Sequence, residues 1–230
     1  MKRLLALIQG LDLLLIPGVI FALYMAFQYA PRESTMGDVQ RIFYFHVPFA
    51  LGSFMAFGVV MVASVGYLMK RELSWDRAAH AAVEVGFLYT TLVLLTGPVW
   101  AKAAWGVWWT WDARLTSTLM LWLIFASYLF LRTYMADDPR LPRFASVLGI
   151  LGALNVPVVY YSALWFNVHH PKPTVLRSGG LDPNMAVSFR VSMLVITLLM
   201  VSLFVKRWLL GRLEAERMLL EARIEDQEDR

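Results

Sequence analysis

The sequence predicts an all-α fold: a polytopic membrane protein built as a bundle of six transmembrane helices, with both termini cytoplasmic. Three observations carry that prediction. Apolar residues make up 59% of the 230 residues and charged residues 17%, against about 45–50% and about 25% in soluble domains. Six runs approach the roughly 20 apolar residues that a hydrocarbon core requires. Lysine and arginine concentrate in alternate connections, the mark of a cytoplasmic side.

The six spans are expected at about 11–29, 46–69, 80–100, 115–135, 144–165 and 187–208. The first follows the basic pair Lys2 and Arg3. It is too long for the apolar region of a signal peptide and no small-residue cleavage pattern follows, so it is expected to be retained. YAPRESTMGDVQR at 29–41 is a polar loop after span one, and ADDPRLPR at 136–143 is a short turn with two prolines between spans four and five. FNVHHPKPTVLRSGGLDPN at 166–184 is the longest outer connection, rich in Pro and Gly, with Asp182 placed to cap span six. Asn155 and Pro157 predict a bend in span five, whose freed backbone groups need partners inside the bundle.

Residues 1–210 therefore form one transmembrane domain. Residues 211–230, GRLEAERMLLEARIEDQEDR, alternate charge with leucine at helical spacing and read as a cytoplasmic helical tail continuing span six. No repeat, low-complexity tract or second domain is evident.

With the N-terminus inside, the inner segments hold Lys2, Arg3, Lys70, Arg71, Arg77, Arg132, Arg140, Arg143, Lys206, Arg207, Arg212, Arg217, Arg223 and Arg230, 14 of the 21 cations. The outer segments hold Arg32, Arg41, Lys102, Arg114, Lys172, Arg177 and Arg190. This bias puts the loop at about 100–117 on the outer side. The net charge of +4 is dispersed over loops, which argues against nucleic acid as a partner. There is no cysteine, so disulfides, thiolate metal sites and thioether links to a cofactor are excluded.

The outer loop reads WGVWWTWDARLTS at 105–117 and holds Trp105, Trp108, Trp109 and Trp111, four of the nine tryptophans. Tryptophans gather at bilayer interfaces, and several together also make a platform for a planar apolar ligand; the cluster alone fits either. Of four histidines, His46, His169 and His170 fall on the same outer side, and only His80 does not. His46 lies at the entrance of span two in IFYFHVPF, and the pair follows span five in WFNVHHPK. Two imidazoles from different elements beside an aromatic platform are what axial ligation of a planar metal macrocycle needs.

Other polar residues have plainer readings. Glu84, in the inner third of span three, is expected to face the bundle interior or a partner subunit. His80, one helical turn earlier, is within reach of it. Asp12 reads as interfacial, and the 12 methionines are scattered as core packing would place them.

On these motifs the chain resembles the cytochrome c maturation protein C family, also called heme exporter protein C, over nearly its whole length. The resemblance implies axial iron ligands at His46, in RIFYFHVP, and at His170, in WFNVHHP, with His169 as the alternative. It implies a noncovalent b-type heme covered by Trp105, Trp108, Trp109 and Trp111, with Asp112 and Arg114 in the same motif. Arg114 is the chief candidate to receive the propionates, with Arg41, Lys102 and Arg177 behind it; alternatively, Arg114 forms a local ion pair with Asp112.

Such proteins sit in the bacterial inner membrane, hold heme on the periplasmic side and present it to a periplasmic heme chaperone. The implied partners are the ATP-binding and membrane subunits of an ABC transporter and a small single-span membrane subunit. No GxxxxGK[ST] loop occurs here, so ATP would be handled elsewhere and the chain is expected to be no enzyme. Two other readings remain. A cytochrome c heme lyase or synthetase component usually carries more spans or histidines and a large outer domain. A secondary transporter predicts broken spans and midplane charges, of which there are few.

Overall fold

A computed structural model describes residues 2–166, 170 and 180–228. Among them the fold is helical throughout, apart from short turns and one isolated bridge between Glu33 and Gly37. The helices are α1 (Lys2–Tyr24), continued by a π turn (Met25–Tyr29), α2 (Phe43–Lys70), preceded by a 3-10 turn (Asp38–Ile42), α3 (Leu73–Trp105), α4 (Ala113–Tyr134), α5 (Leu141–Trp165) and α6 (Pro183–Glu228). All six are long and apolar enough to cross a membrane. The six expected spans are all present.

The bounds differ from the hydropathy reading where helices outrun the bilayer. At 1.5 Å per residue the 46 residues of α6 extend about 70 Å, more than twice the ~30 Å of hydrocarbon. Residues 211–228 therefore continue the last span without a break. The 33 residues of α3 likewise exceed one crossing.

The centre of the bundle is α2, which packs most extensively on α3 and also against α5 and α6. The core is aromatic, with Phe57 and Phe125 stacked at 3.9 Å and fully buried. Small residues let the helices close on it, as membrane bundles require. A Cβ at Gly86 of α3 would stand 2.5 Å from Phe57 Cε1. The outer helix α1 packs on α6 and leaves much of its apolar surface uncovered, including Leu7, Leu13 and Leu14, as a lipid-facing helix does.

Several expected local devices have counterparts. The Asp182 carboxylate accepts from the Asn184 N–H at 2.8 Å and caps α6. Asn155 Nδ2 donates to the Ser117 carbonyl at 2.9 Å, tying α5 to α4, and α5 runs on through Pro157. Asp12 meets Lys206 at 2.7 Å and the Ser202 hydroxyl at 2.8 Å, joining α1 to α6. His80 and Glu84 pair at 3.3 Å, and Glu84 also meets Arg207 of α6.

Six helices joined this way gather the connections after α1, α3 and α5 at one end. The connections after α2 and α4 lie at the other. At the first end Arg41 Nη1 donates to the Ala26 carbonyl at 2.6 Å and so occupies a backbone acceptor exposed where α1 gives out. Glu33 folds the following loop around itself. The Met36, Thr35 and Ser34 groups that donate to its carboxylate, Met36 foremost, hold it below the ordinary carboxylate range.

Candidate functional site

The first end contains a cavity of about 600 Å³, within the roughly 300–1,000 Å³ typical of small-molecule and cofactor pockets. Its inner wall carries His46, Trp100, Arg114, Tyr160 and His170, and Arg32 and Glu33 stand among its lining from the loop after α1. A smaller cavity of about 70 Å³ shares His46, Trp100, Arg114 and His170 and adds Trp105 and Trp109. Residues separated by more than a hundred positions thus converge on one place.

The scaffold that positions them is built from helix ends. Trp105 is the last residue of α3, which Gly106 terminates in a left-handed conformation (φ 77°) that glycine adopts without strain. The indole of Trp105 stands edge-on to Trp100, centroids 4.9 Å apart, and both approach the His170 ring, at 6.5 and 6.4 Å. The chain re-enters a helix at Asp112, whose Oδ1 accepts from the N–H groups of Arg114 and Leu115 at 2.9 and 3.0 Å. Thr110 donates to the other carboxylate oxygen at 2.8 Å. Asp112 is therefore the N-cap of α4.

That cap bears on how Arg114 is placed. Among the described residues no ion pair joins it to Asp112; its guanidinium instead lines both cavities, with Nη1 buried and without a hydrogen-bond partner. The other candidate cations are engaged elsewhere. Arg41 holds the end of α1 and pairs with Asp38, and Lys102 donates to the Gly106 carbonyl at 2.9 Å. Arg177 and His169 lie outside the described residues.

The tryptophans divide. Trp105 and Trp109 line the smaller cavity, whereas Trp108 and Trp111 line neither and are largely exposed, 57% and 72%. Trp109 and Trp111 make an edge-on pair at 5.7 Å, and Trp111 adopts a positive φ of 45°, a strained conformation for an aromatic residue. Trp100, which lines both cavities, stands five residues before the motif; its neighbourhood to His170 is a tertiary contact that spacing does not reveal. His46 is held from α3: its Nδ1 lies 2.8 Å from Thr96 Oγ1, and Gly97 beside it leaves room for the ring.

Chemically the cavity offers two imidazoles, flat indoles and a buried guanidinium within a largely apolar wall. This is a fitting donor set for a planar macrocycle bearing a metal and acidic substituents. Fold and site together define a six-span membrane protein with a cavity at one end. A sequence model described as heme exporter protein C matches residues 1–228, and the chain belongs to that family. It is 39% identical over 176 residues to heme exporter protein C of Bradyrhizobium diazoefficiens, covering 76% of this chain and 67% of that one. It is 34% identical over 183 residues to the Escherichia coli K12 protein of that name, 79% and 74% of the two chains. The Haemophilus influenzae protein is 30% identical over 178 residues, 77% and 70%.

Proposed function

We propose that the chain binds heme noncovalently at the end of the bundle bearing the tryptophan-rich loop, and hands it on during cytochrome c biogenesis. The observation that carries this reading is the convergence of His46, His170 and Arg114 on one cavity with Trp100. His46 and His170 are the axial ligands, Trp100, Trp105 and Trp109 supply flat apolar cover, and Arg114 receives a propionate through a charge-assisted bond. Heme is the cargo; its iron supplies the two coordination positions, and the chain's groups orient and shield it. Asp112 shapes this site through the α4 cap rather than by touching heme. Trp108 and Trp111, standing outside the cavity, are suited to meet the protein that takes the heme away.

The heme side is the periplasmic face of a bacterial inner membrane, a placement that rests on the lysine and arginine bias. The recipient is a periplasmic heme chaperone, and the chain works beside the ATP-binding and membrane subunits of an ABC transporter and a small single-span subunit. Those partners rest on the family's motif. The chain acts as a heme-delivery subunit without an ATPase of its own.

The test is the visible absorption spectrum of the detergent-purified protein, native and with His46→Ala, His170→Ala or His169→Ala. Low-spin six-coordinate heme in the native protein and in His169→Ala, lost in the other two, is expected. Native protein free of heme, after purification from cells making heme in excess, overturns the reading.

A further inference from the structure

Thr96 carries one proton on its hydroxyl, and three acceptors or potential partners crowd it. Its Oγ1 lies 2.7 Å from the Leu92 carbonyl oxygen, 3.4 Å from that of Val93 and 2.8 Å from His46 Nδ1. Carbonyls only accept, so the short Leu92 contact takes the hydroxyl proton. The hydroxyl then meets the imidazole with a lone pair, and Nδ1 must carry the hydrogen and donate. In a neutral ring so protonated, the remaining lone pair is on Nε2. The next residue bounds the adjoining ring carbon, because a Cβ on Gly97 would come within 3.3 Å of His46 Cε1.

We infer that Thr96 is the positioning residue of His46: by accepting its Nδ1–H it holds the tautomer whose Nε2 is available to iron, with Gly97 giving the ring its place. This rests on the heme reading above. The choice of partner matters for a carrier. A carboxylate at that position would raise the ligand's basicity and strengthen the iron bond, as outer-shell carboxylates do. A neutral hydroxyl that already donates elsewhere orients the ring with less push. Thr96 thereby favours a correctly aimed ligand whose bond is weak enough to give up.

Two measurements separate this inference from the reading it rests on. In heme-free protein labelled with 15N-histidine at neutral pH, with His46→Gln used for assignment, His46 is expected to show a protonated Nδ1 and a bare Nε2. The same pattern is expected in Thr96→Ser, and a redistribution toward Nε2–H in Thr96→Val. A protonated Nε2 in the native protein overturns the tautomer assignment. In heme-loaded protein, Thr96→Val is expected to lower heme affinity about 10- to 100-fold, the range for outer-shell partners of metal ligands, and to raise the iron reduction potential, with Thr96→Ser restoring both. Native affinity and potential in Thr96→Val overturn the positioning role. Native protein that takes up no heme overturns the heme reading and the iron half of this inference, while the nitrogen resonances decide the tautomer independently.

Discussion

At the cavity end His46 meets a neutral hydroxyl and Arg114 leaves Nη1 buried without a hydrogen-bond partner among the described residues, whereas at the opposite end His80 lies 3.3 Å from Glu84 and Arg132 grips Asp76 through two bonds of 2.8 Å. Glu84 is shared with Arg207 of α6, and Arg132 joins α4 to α3. Both ends hold a half-buried histidine near an arginine, yet the charges are used differently. At the opposite end they are largely spent on tying helices together, with Arg77 Nε a buried exception. At the cavity end the helices are closed by caps, with Asp112, Asp182 and Arg41 each satisfying backbone groups. Capping there leaves imidazole and guanidinium facing the cavity.

The contrast can be broken from either side. The largest stability effect is expected from Asp76→Ala, which leaves Arg132 buried without its counter-charge. Removing one partner of a buried pair costs about 3–5 kcal/mol, and the two side chains are only 6% and 15% exposed. Thermal unfolding in detergent reads it, and the heme spectrum of the folded fraction is expected to be unchanged. An altered spectrum with unaltered stability would mean that the two ends are not separate in function. Next comes Arg114→Gln. Charge-assisted bonds contribute about 1.5–3 kcal/mol, so heme affinity is expected to fall about 10- to 100-fold by heme titration while the spectrum stays six-coordinate. Unfolding temperature should hardly move, the reverse of Asp76→Ala.

A smaller effect is expected from Asp112→Ala, which removes the α4 cap at about 0.5–2 kcal/mol. Faster amide exchange at Arg114 and Leu115 would report it directly. Heme affinity should drop less than in Arg114→Gln, because Asp112 acts on the site only through the helix start. The slightest effect concerns pH. The carboxyl of Glu33 is held below its ordinary value of 4.5 by donors led by the Met36 N–H. A depressed carboxyl contributes order above its unfolded value and loses it as pH falls through the lowered one. Protection of the Thr35 and Met36 amides, relative to their intrinsic exchange rate at each pH, is therefore expected to fall on acidification below the ordinary carboxylate range, with the loop in Glu33→Gln already unprotected at neutral pH. Protection that does not change with pH would show that the loop is held by something other than this carboxylate.

Features written in local spacing are legible in the sequence. Six apolar runs predict six helices because a continuous run of roughly 20 residues satisfies its own backbone in hydrocarbon as a helix, whereas a barrel strand needs only about 9–11. The Asp182 cap and the His80–Glu84 pair follow from offsets of two and four residues, within about one helical turn. The tryptophan-rich motif and both histidine contexts are visible as patterns. The part played by each member is not: Trp105 and Trp109 turn inward while Trp108 and Trp111, in the same seven residues, turn outward. Where a loop has no regular period, spacing does not say which side chains face in. Helix ends escape hydropathy for a different reason. The helix α3 starts at Leu73, well ahead of its apolar run, because hydropathy marks the bilayer and not the point where backbone hydrogen bonding stops.

The sequence by itself determined the membrane setting, the number of crossings, the family motif and the absence of any thiolate, since each depends on composition or on neighbours in the chain. The tertiary structure alone decided that Asp112 caps α4 and leaves Arg114 to the cavity, that Trp100 joins His170, and that Thr96 and Gly97 seat His46 from 50 residues away. Those contacts depend on how α2, α3, α4 and the chain after α5 come together. Packing of separate helices is set by the shapes of their faces, and no pattern along one helix specifies the partner it will meet.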